Sequence, residues 1–315
     1  MKAAVVNVLG EPPRYQNFAE PNAAEGEVLI DVRAAGLHPI VKARASGSHY
    51  SSDGVVPLIP GLDGVGVWDG SRVFFGFSRA PFGSMAERTV ARRSMCIPLP
   101  DRIDDVQAAA IANPGMSAWL SIKDRAGLAK GESVLILGAT GVAGQLAIQV
   151  ARHLGASRIV AAGRNLEALA SEKLDAVISL AQDDDAIREA FSVEARKGID
   201  MVIDYLWGRP TELFLEALAK GFNPNGGRST RLVEVGESAG KTITLPGATL
   251  RSVDLKLMGS GFGSVPLAQV LGAIPTLFQL AAAGSLKVTT EPVPLTEVEV
   301  AWNRKESGKR IVFVI

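Results

Sequence analysis

VLILGATGVAG, residues 134–144, is the stretch on which the fold turns. Val134, Leu135, Ile136 and Leu137 are apolar without alternation, which suits a strand covered on both faces, as in a parallel sheet. Glycines follow at Gly138, Gly141 and Gly144. Beyond them Val142, Leu146, Ala147, Val150, Ala151 and Leu154 mark one face of a helix. Strand, glycine-rich turn and helix, in that order, are the setting a dinucleotide-binding fingerprint requires. Glycine permits the tight turn, brings backbone close to a pyrophosphate and lets the helix pack on the strand. The helix start, Thr140 to Ala143, then offers N–H groups and a partial positive charge to the phosphates. The spacing is G-x-x-G-x-x-G, with Ala139 where the common form has its first glycine, so the glycines alone leave a ligand-free buried turn open.

A second apolar strand, residues 159–162, ends at Gly163-Arg164-Asn165. An NAD enzyme places Asp or Glu there, about 20 residues past the glycines, for the ribose 2′-hydroxyl. Arg164 stands there instead, and arginine accommodates a 2′-phosphate. A charge-assisted hydrogen bond of about 1.5–3 kcal/mol converts to a roughly ten- to hundredfold preference for NADPH over NADH. The competing reading of Arg164 is a solvated loop arginine. NADPH is the cofactor expected, with Gly163, Arg164 and Asn165 at its adenosine end.

The chain has 315 residues and no net charge. That length suits two domains, and the charge balance gives no reason to expect nucleic acid or an anionic membrane as partner. A lone cysteine, Cys96, excludes an internal disulfide framework and a cysteine-rich zinc site, and fits a reducing, cytoplasmic setting. Its place in MCIPLP reads as a small hydrophobe at a strand edge. The opening MKAAVVNVLGEPPRY reads as a strand, not a signal peptide, and no apolar run is long enough to span a membrane.

Residues 1–115 read as β-rich, with Pro and Gly punctuating short strands in a compact, barrel-like domain. Residues 64–77 read as two strands around an Asp69-Gly70 turn. A helical segment from residue 104 is expected to break at Pro114-Gly115. Strand candidates at 134–137, 158–162, 175–180, 201–206, 231–236 and 255–260 alternate with helices such as 185–196 and 211–220, the rhythm of a doubly wound parallel sheet. Asp183-Asp184-Asp185 reads as a helix cap in a solvated loop. A helix over 265–283 and the strand-like IVFVI close the chain.

Several motifs together resemble one family. Pro60-Gly61-Leu62-Asp63-Gly64-Val65-Gly66-Val67 is similar to the first eight positions of P-G-x-D-x-x-G-x-V, and Gly83-Ser84-Met85-Ala86-Glu87 to G-x-x-A-E. Gly138 to Gly144, Val233-Glu234-Val235-Gly236 and Gly308-Lys309-Arg310-Ile311-Val312 follow in the same order. The chain resembles the zinc-independent medium-chain dehydrogenase/reductase superfamily, of the quinone oxidoreductase type. The resemblance implies an α/β fold: a doubly wound Rossmann parallel sheet (residues 116–262) inserted into a β-rich GroES-like catalytic domain (1–115 and 263–315). It implies that Val235 and Gly236 lie beside the nicotinamide, and it points to 253–260 as the edge of a homodimer.

Without a zinc ligand set, the substrate expected is one that accepts hydride easily, a quinone or an α,β-unsaturated carbonyl compound, and a hydroxyl donor would stabilise the carbonyl oxygen as charge grows there. Tyr50, in Gly47-Ser48-His49-Tyr50, is similar to the family's loop segment carrying an active-site Tyr; a surface tyrosine is the alternative. His38-Pro39 stands where many relatives carry Asn-Pro, and makes His38 a second candidate proton donor or a satisfied loop histidine. Ser117 matches the family's Thr near the nicotinamide and orients the carboxamide or merely begins a helix. Asp204 looks like the family's acid below the cofactor, or is structural. Gly261 and Phe262, in MGSGFGS, let backbone approach the nicotinamide or form a hinge. No metal site is expected. Two other functions stay open: an enoyl-thioester reductase, and a non-catalytic NADPH-binding protein of regulatory or structural role.

Overall fold

The computed structural model describes residues 1–170, 172–221, 229–304 and 308–315. Two compact units emerge: Met1–Pro114 with Ile274–Ile315, and Gly115–Ala273. The first unit thus takes up both ends of the chain, and the second is one continuous stretch.

The first unit opens with an antiparallel pair, β1 (Lys2–Val5) and β2 (Arg14–Asn17). The long strand β3 (Glu27–Gly36) leads through α1 (Pro39–Ala45) to β4 (Asp63–Trp68), β5 (Ser71–Gly76), β6 (Arg88–Arg92) and β7 (Cys96–Pro98). β4 and β5 form the hairpin expected. Trp68 pairs with Ser71 across two residues, Asp69 and Gly70, both at positive φ, the type I′ geometry that matches strand twist. Along β3 the alternate residues Val28, Ile30 and Val32 turn inward against Phe75 and Ala91. Cys96 packs at the edge of this core, and burial pushes its thiol up to about 11.

α2 (Asp105–Trp119) runs through Pro114 without breaking, contrary to the sequence pattern. Proline removes one backbone donor, but the alanines before it and Ala118 to Ile122 after it are buried, and packing outweighs the lost bond. The helix then widens into π-helical turns over Leu120–Arg125.

The second unit is the parallel sheet: β8 (Ser133–Leu137), α3 (Val142–His153), β9 (Arg158–Gly163), β10 (Ala176–Ser179), α4 (Asp184–Arg196), β11 (Met201–Asp204), α5 (Gly208–Ala219), β12 (Thr230–Glu234), α6 (Gly247–Ser252) and β13 (Leu255–Gly259). The strand order is β10-β9-β8-β11-β12-β13, every pair parallel, so the order reverses between β8 and β11. Ligands bind beyond the carboxyl ends of strands at such a switch point. Asp183 caps α4, its carboxylate accepting from the Ala186 N–H at 2.9 Å, which accounts for the acidic run. α7 (Leu267–Ala282), β14 (Thr290–Pro294), α8 (Val298–Ala301) and β15 (Arg310–Val314) follow. In the first unit β14, β15, β3, β4, β5 and β7 line up in one sheet, with β6 also on β3.

Between α4 and α5 the rings of Phe191 and Phe214 meet edge-on at 5.7 Å, both inside the apolar layer under the parallel sheet. Phe214→Ala leaves a cavity there, and we expect a loss of about 3–5 kcal/mol in unfolding free energy, read from urea denaturation; a loss below about 1 kcal/mol contradicts this packing.

Candidate functional site

The glycine turn lies between β8 and α3. Gly138 takes φ +83°, a backbone state that a side chain disfavours, and its N–H donates to the Ala162 carbonyl at 2.9 Å. Gly144 marks close packing: a Cβ there would lie 2.3 Å from the Gly138 carbonyl oxygen and 2.6 Å from Ala139 Cα. Ala139 is wholly buried, so its methyl group belongs to the core and not to the ligand side. A Cβ at Gly141 would meet only the Gly138 oxygen, at 3.5 Å. Gly141 is the N-cap of α3, and no side chain caps that helix. The N–H groups of Val142, Ala143 and Gly144 are thus those a helix leaves without an intrahelical acceptor, beside a glycine with open space. These residues fit a pyrophosphate.

At the end of β9 a Cβ on Gly163 would lie 2.4 Å from Thr140 Cγ2 and 2.9 Å from its Oγ1. Thr140 therefore packs over Gly163 and ties the glycine turn to the second strand. Arg164 and Asn165 follow, both exposed. The structure thus brings Gly138 to Gly144 and Gly163 to Asn165 together at the carboxyl ends of β8 and β9.

Across the switch point, β11 ends two residues earlier than the sequence pattern suggests, because Asp204 captures the chain. Its carboxylate accepts from the N–H groups of Leu206 (2.8 Å) and Trp207 (3.0 Å) and from the Thr211 hydroxyl (2.5 Å). Burial raises its pKa, opposed by the Thr211, Trp207 and Leu206 bonds in that order. Trp207 is forced to φ +54°, ψ −167°, a region essentially reserved for glycine, at a cost on the order of 1–3 kcal/mol. The turn lays Leu206 and Tyr205 against Gly138: a Cβ there would meet Leu206 Cδ2 at 3.1 Å and Tyr205 Cβ at 3.2 Å. The Asp204 carbonyl accepts from both Val235 (2.8 Å) and Gly236 (3.2 Å), which joins these two candidates to the same corner. Ser117, on α2, is half-buried beside Tyr205. Gly261 and Phe262 follow β13, the strand farthest from β8 on this side of the sheet; the Gly261 N–H donates within its own turn, to Ser264 Oγ at 2.7 Å. Tyr205, Leu206 and Trp207 were not singled out in the sequence; the signal was the D-Y-L-W-G string after a buried strand.

In the other unit the two candidate proton donors diverge. Tyr50 is 73% exposed, its ring stacked on His49 with centroids 4.2 Å apart. His38 is 0% exposed, shut away from solvent inside its unit. It lies 3.6 Å from Asp63 Oδ1, beside Arg310, whose Nη1 donates to the Leu37 carbonyl at 2.7 Å. Burial first, then Arg310, holds the His38 pKa well below its usual range, against the Ala109 carbonyl. Burial pushes Asp63 up to about 7, against the pull of Arg310. Among the described residues no three His, Cys, Asp or Glu side chains are grouped as a metal ion needs, and no helix is long and apolar enough to cross a membrane.

No protein-family model matches the chain. It is 26% identical, over all of both chains, to a probable NADPH-dependent quinone reductase, tdiC, of Emericella nidulans. It is 29% identical over 257 residues to the chloroplastic NADPH-dependent alkenal/one oxidoreductase of Arabidopsis thaliana, an overlap of 74% of this chain and 58% of that one. Its fold matches that of the quinone oxidoreductase from Thermus thermophilus, a protein also solved with NADPH, with TM-score 0.81 and 29% identity over the whole of both chains.

His38 and Asp63 pull stability in opposite directions with pH. Asp63 has its folded pKa raised from 3.8 to about 7, so the folded state holds the extra proton and its contribution grows as pH falls from about 7 towards 4. His38 has its folded pKa lowered from 6.5, so its contribution is lost as pH falls below 6.5. Relative to the parent, His38→Gln should gain stability on acidification below pH 6.5, and Asp63→Asn should lose it between about 7 and 4. Chemical denaturation across that range reads both slopes, and parallel slopes for the two variants refute the assignment.

Proposed function

We propose that this chain, a medium-chain dehydrogenase/reductase of the quinone oxidoreductase type, is an NADPH-dependent reductase of quinones or α,β-unsaturated carbonyl compounds. The observation that carries the cofactor is the cradle itself: free N–H groups over an open Gly141, with Arg164 in the place of an acid. In this reading Thr140, Gly141, Val142, Ala143 and Gly144 hold the pyrophosphate through backbone. Arg164 pairs with the 2′-phosphate, and Gly163 and Asn165 line the ribose. Ser117, Val235, Gly236, Gly261 and Phe262 face the nicotinamide end. When bound, NADPH supplies the hydride, and the acceptor's activated carbon takes it.

Tyr50 is our proton donor. Its hydroxyl is exposed and its ring is braced by His49, so a developing oxyanion on the acceptor can be stabilised and then protonated. His38, enclosed with Asp63 and Arg310, holds the domain's interior together. We place no zinc in the reaction: the chain has a single cysteine and three histidines, with His38 buried, His49 committed to Ser51 and Tyr50, and His153 on α3. We also propose a cytoplasmic homodimer, joined through β13, whose Lys256 and Leu257 are exposed on the outer edge of the sheet.

Two measurements check this reading. Fluorescence titration of Arg164→Ala should show NADPH bound about ten- to hundredfold more weakly and NADH unchanged; equal losses for both, or none, remove the 2′-phosphate role. In steady-state kinetics with a quinone acceptor, Tyr50→Phe should lower kcat by about a hundredfold or more while NADPH affinity stays constant. An unaltered kcat excludes Tyr50 as donor.

A further inference from the structure

The turn after β11 is held from both sides. On one side Leu206 Cδ2 and Tyr205 Cβ cover Gly138, 3.1 Å and 3.2 Å from where a Cβ there would stand. On the other side the loop after β12 runs along it. The Tyr205 carbonyl accepts from the Ser238 hydroxyl at 2.8 Å, and the Leu206 carbonyl from the Ala239 N–H at 2.7 Å. Gly208 and Gly240 then cross, backbone on backbone. A Cβ on Gly208 would lie 2.8 Å from the Ala239 carbonyl oxygen, and one on Gly240 would lie 2.9 Å from Gly208 Cα. Further along, the Glu212 carboxylate accepts from the Thr244 N–H at 2.7 Å and pins the same loop to α5.

The turn needs such a clamp. Trp207 sits at φ +54°, ψ −167°, and a backbone state of that kind persists only where its surroundings over-determine it. Asp204 holds the turn from within, through the Leu206 and Trp207 N–H groups. The loop after β12 holds it from outside. What the held turn does is cover Gly138, which at φ +83° has a left-handed backbone and no side chain of its own. Gly138 opens the segment whose helix-start N–H groups form the candidate cradle, and recognition through backbone requires those groups fixed in place. Gly240 lies outside the left-handed region, so alanine there meets no backbone strain, only the Gly208 backbone. We infer that Gly240 is a positioning residue for the pyrophosphate cradle: having no Cβ, it lets the loop after β12 close on Gly208 and so keeps Leu206 seated over Gly138. It acts through the turn and not by contact with the dinucleotide. The inference rests on the cofactor reading above.

The test uses the full chain and two probes in calorimetric titration: NADPH, and adenosine 2′-monophosphate, which has the 2′-phosphate but no pyrophosphate. Gly240→Ala should weaken NADPH about two- to thirtyfold, the range for residues that modulate a site without touching its ligand, and leave the monophosphate unchanged. Gly272→Ala, on α7 where a Cβ would meet nothing within 4 Å, should keep the parent affinity. Leu206→Ala should show the same selective loss as Gly240→Ala. The double variant should lose no more than the larger single loss, because both changes act on one contact. Unchanged NADPH affinity in Gly240→Ala, with or without a lower urea midpoint, overturns the inference. So do equal weakening of both probes, additive losses, or the same loss in Gly272→Ala. If Gly240→Ala does not fold, Leu206→Ala is read alone, and an unaltered NADPH affinity there overturns it equally. If the parent protein binds neither probe, the cofactor reading falls first and takes this one with it.

Discussion

A carboxylate buried at the end of a central strand must have its oxygens occupied by donors, or it will not stay there as an anion. Asp204 meets that demand with two backbone N–H groups and one hydroxyl, and the local geometry follows. Collecting the N–H groups of Leu206 and Trp207 bends the chain sharply after β11 and drives Trp207 into a backbone state that a side chain avoids. The bend presses Leu206 and Tyr205 onto Gly138. Meanwhile the Asp204 carbonyl gathers Val235 and Gly236 from the neighbouring strand. One residue thus fixes the floor of the switch point on three sides. Burial raises its pKa and its donors resist, so the carboxyl group is held by local bonds and not by a counter-charge.

The part of this corner that lies along the chain was legible in the sequence. Residues 134–144 carry the strand, the turn and the helix start within one short stretch, and Arg164 follows at the offset where an acid is usual. The odd spacing also has a simple account. The left-handed residue is Gly138, and Ala139 can keep its methyl group because it points into the core; only at Gly144 does close packing forbid a Cβ. The Asp183 cap was legible for the same reason, since a cap is a contact between near neighbours. The Asp204 turn was not, because its meaning depends on Gly138 and Val235, which are distant in sequence. Nor was the passage of α2 through Pro114, where buried alanines on both sides outweigh a local preference for breaking.

His38 shows the opposite failure. Pro39 and the surrounding glycines read as a loop, and a loop histidine reads as available. In the fold, residues 34–38 are buried because the last strand lies against the third: Val312 pairs with Gly36, and Arg310 reaches back to the Leu37 carbonyl. Burial here is set by pairing across nearly the whole length of the chain, which no window of sequence reports. The result is a histidine, a carboxylate and a guanidinium packed together with both His38 ring nitrogens and both Asp63 oxygens lacking well-formed hydrogen bonds. Such a cluster is costly unless its protons are distributed to suit it, and the opposite displacements of His38 and Asp63 are the form that distribution takes.

The two candidate partners of the reaction are therefore held in different ways. The candidate dinucleotide cradle is built from strand ends, a helix start and backbone atoms, where a Cβ at Gly144 would run into backbone and one at Gly163 into the Thr140 side chain. That rigidity suits a ligand whose shape is constant and whose recognition is carried by backbone. Tyr50 stands on an exposed turn after α1, steadied by a ring contact with His49 and by His49's bond to Ser51. Loops of that kind tolerate sequence change and carry specificity. The glycine turn is thus set by packing, whereas Arg164 and Tyr50 are both exposed side chains whose surroundings the packed core does not dictate.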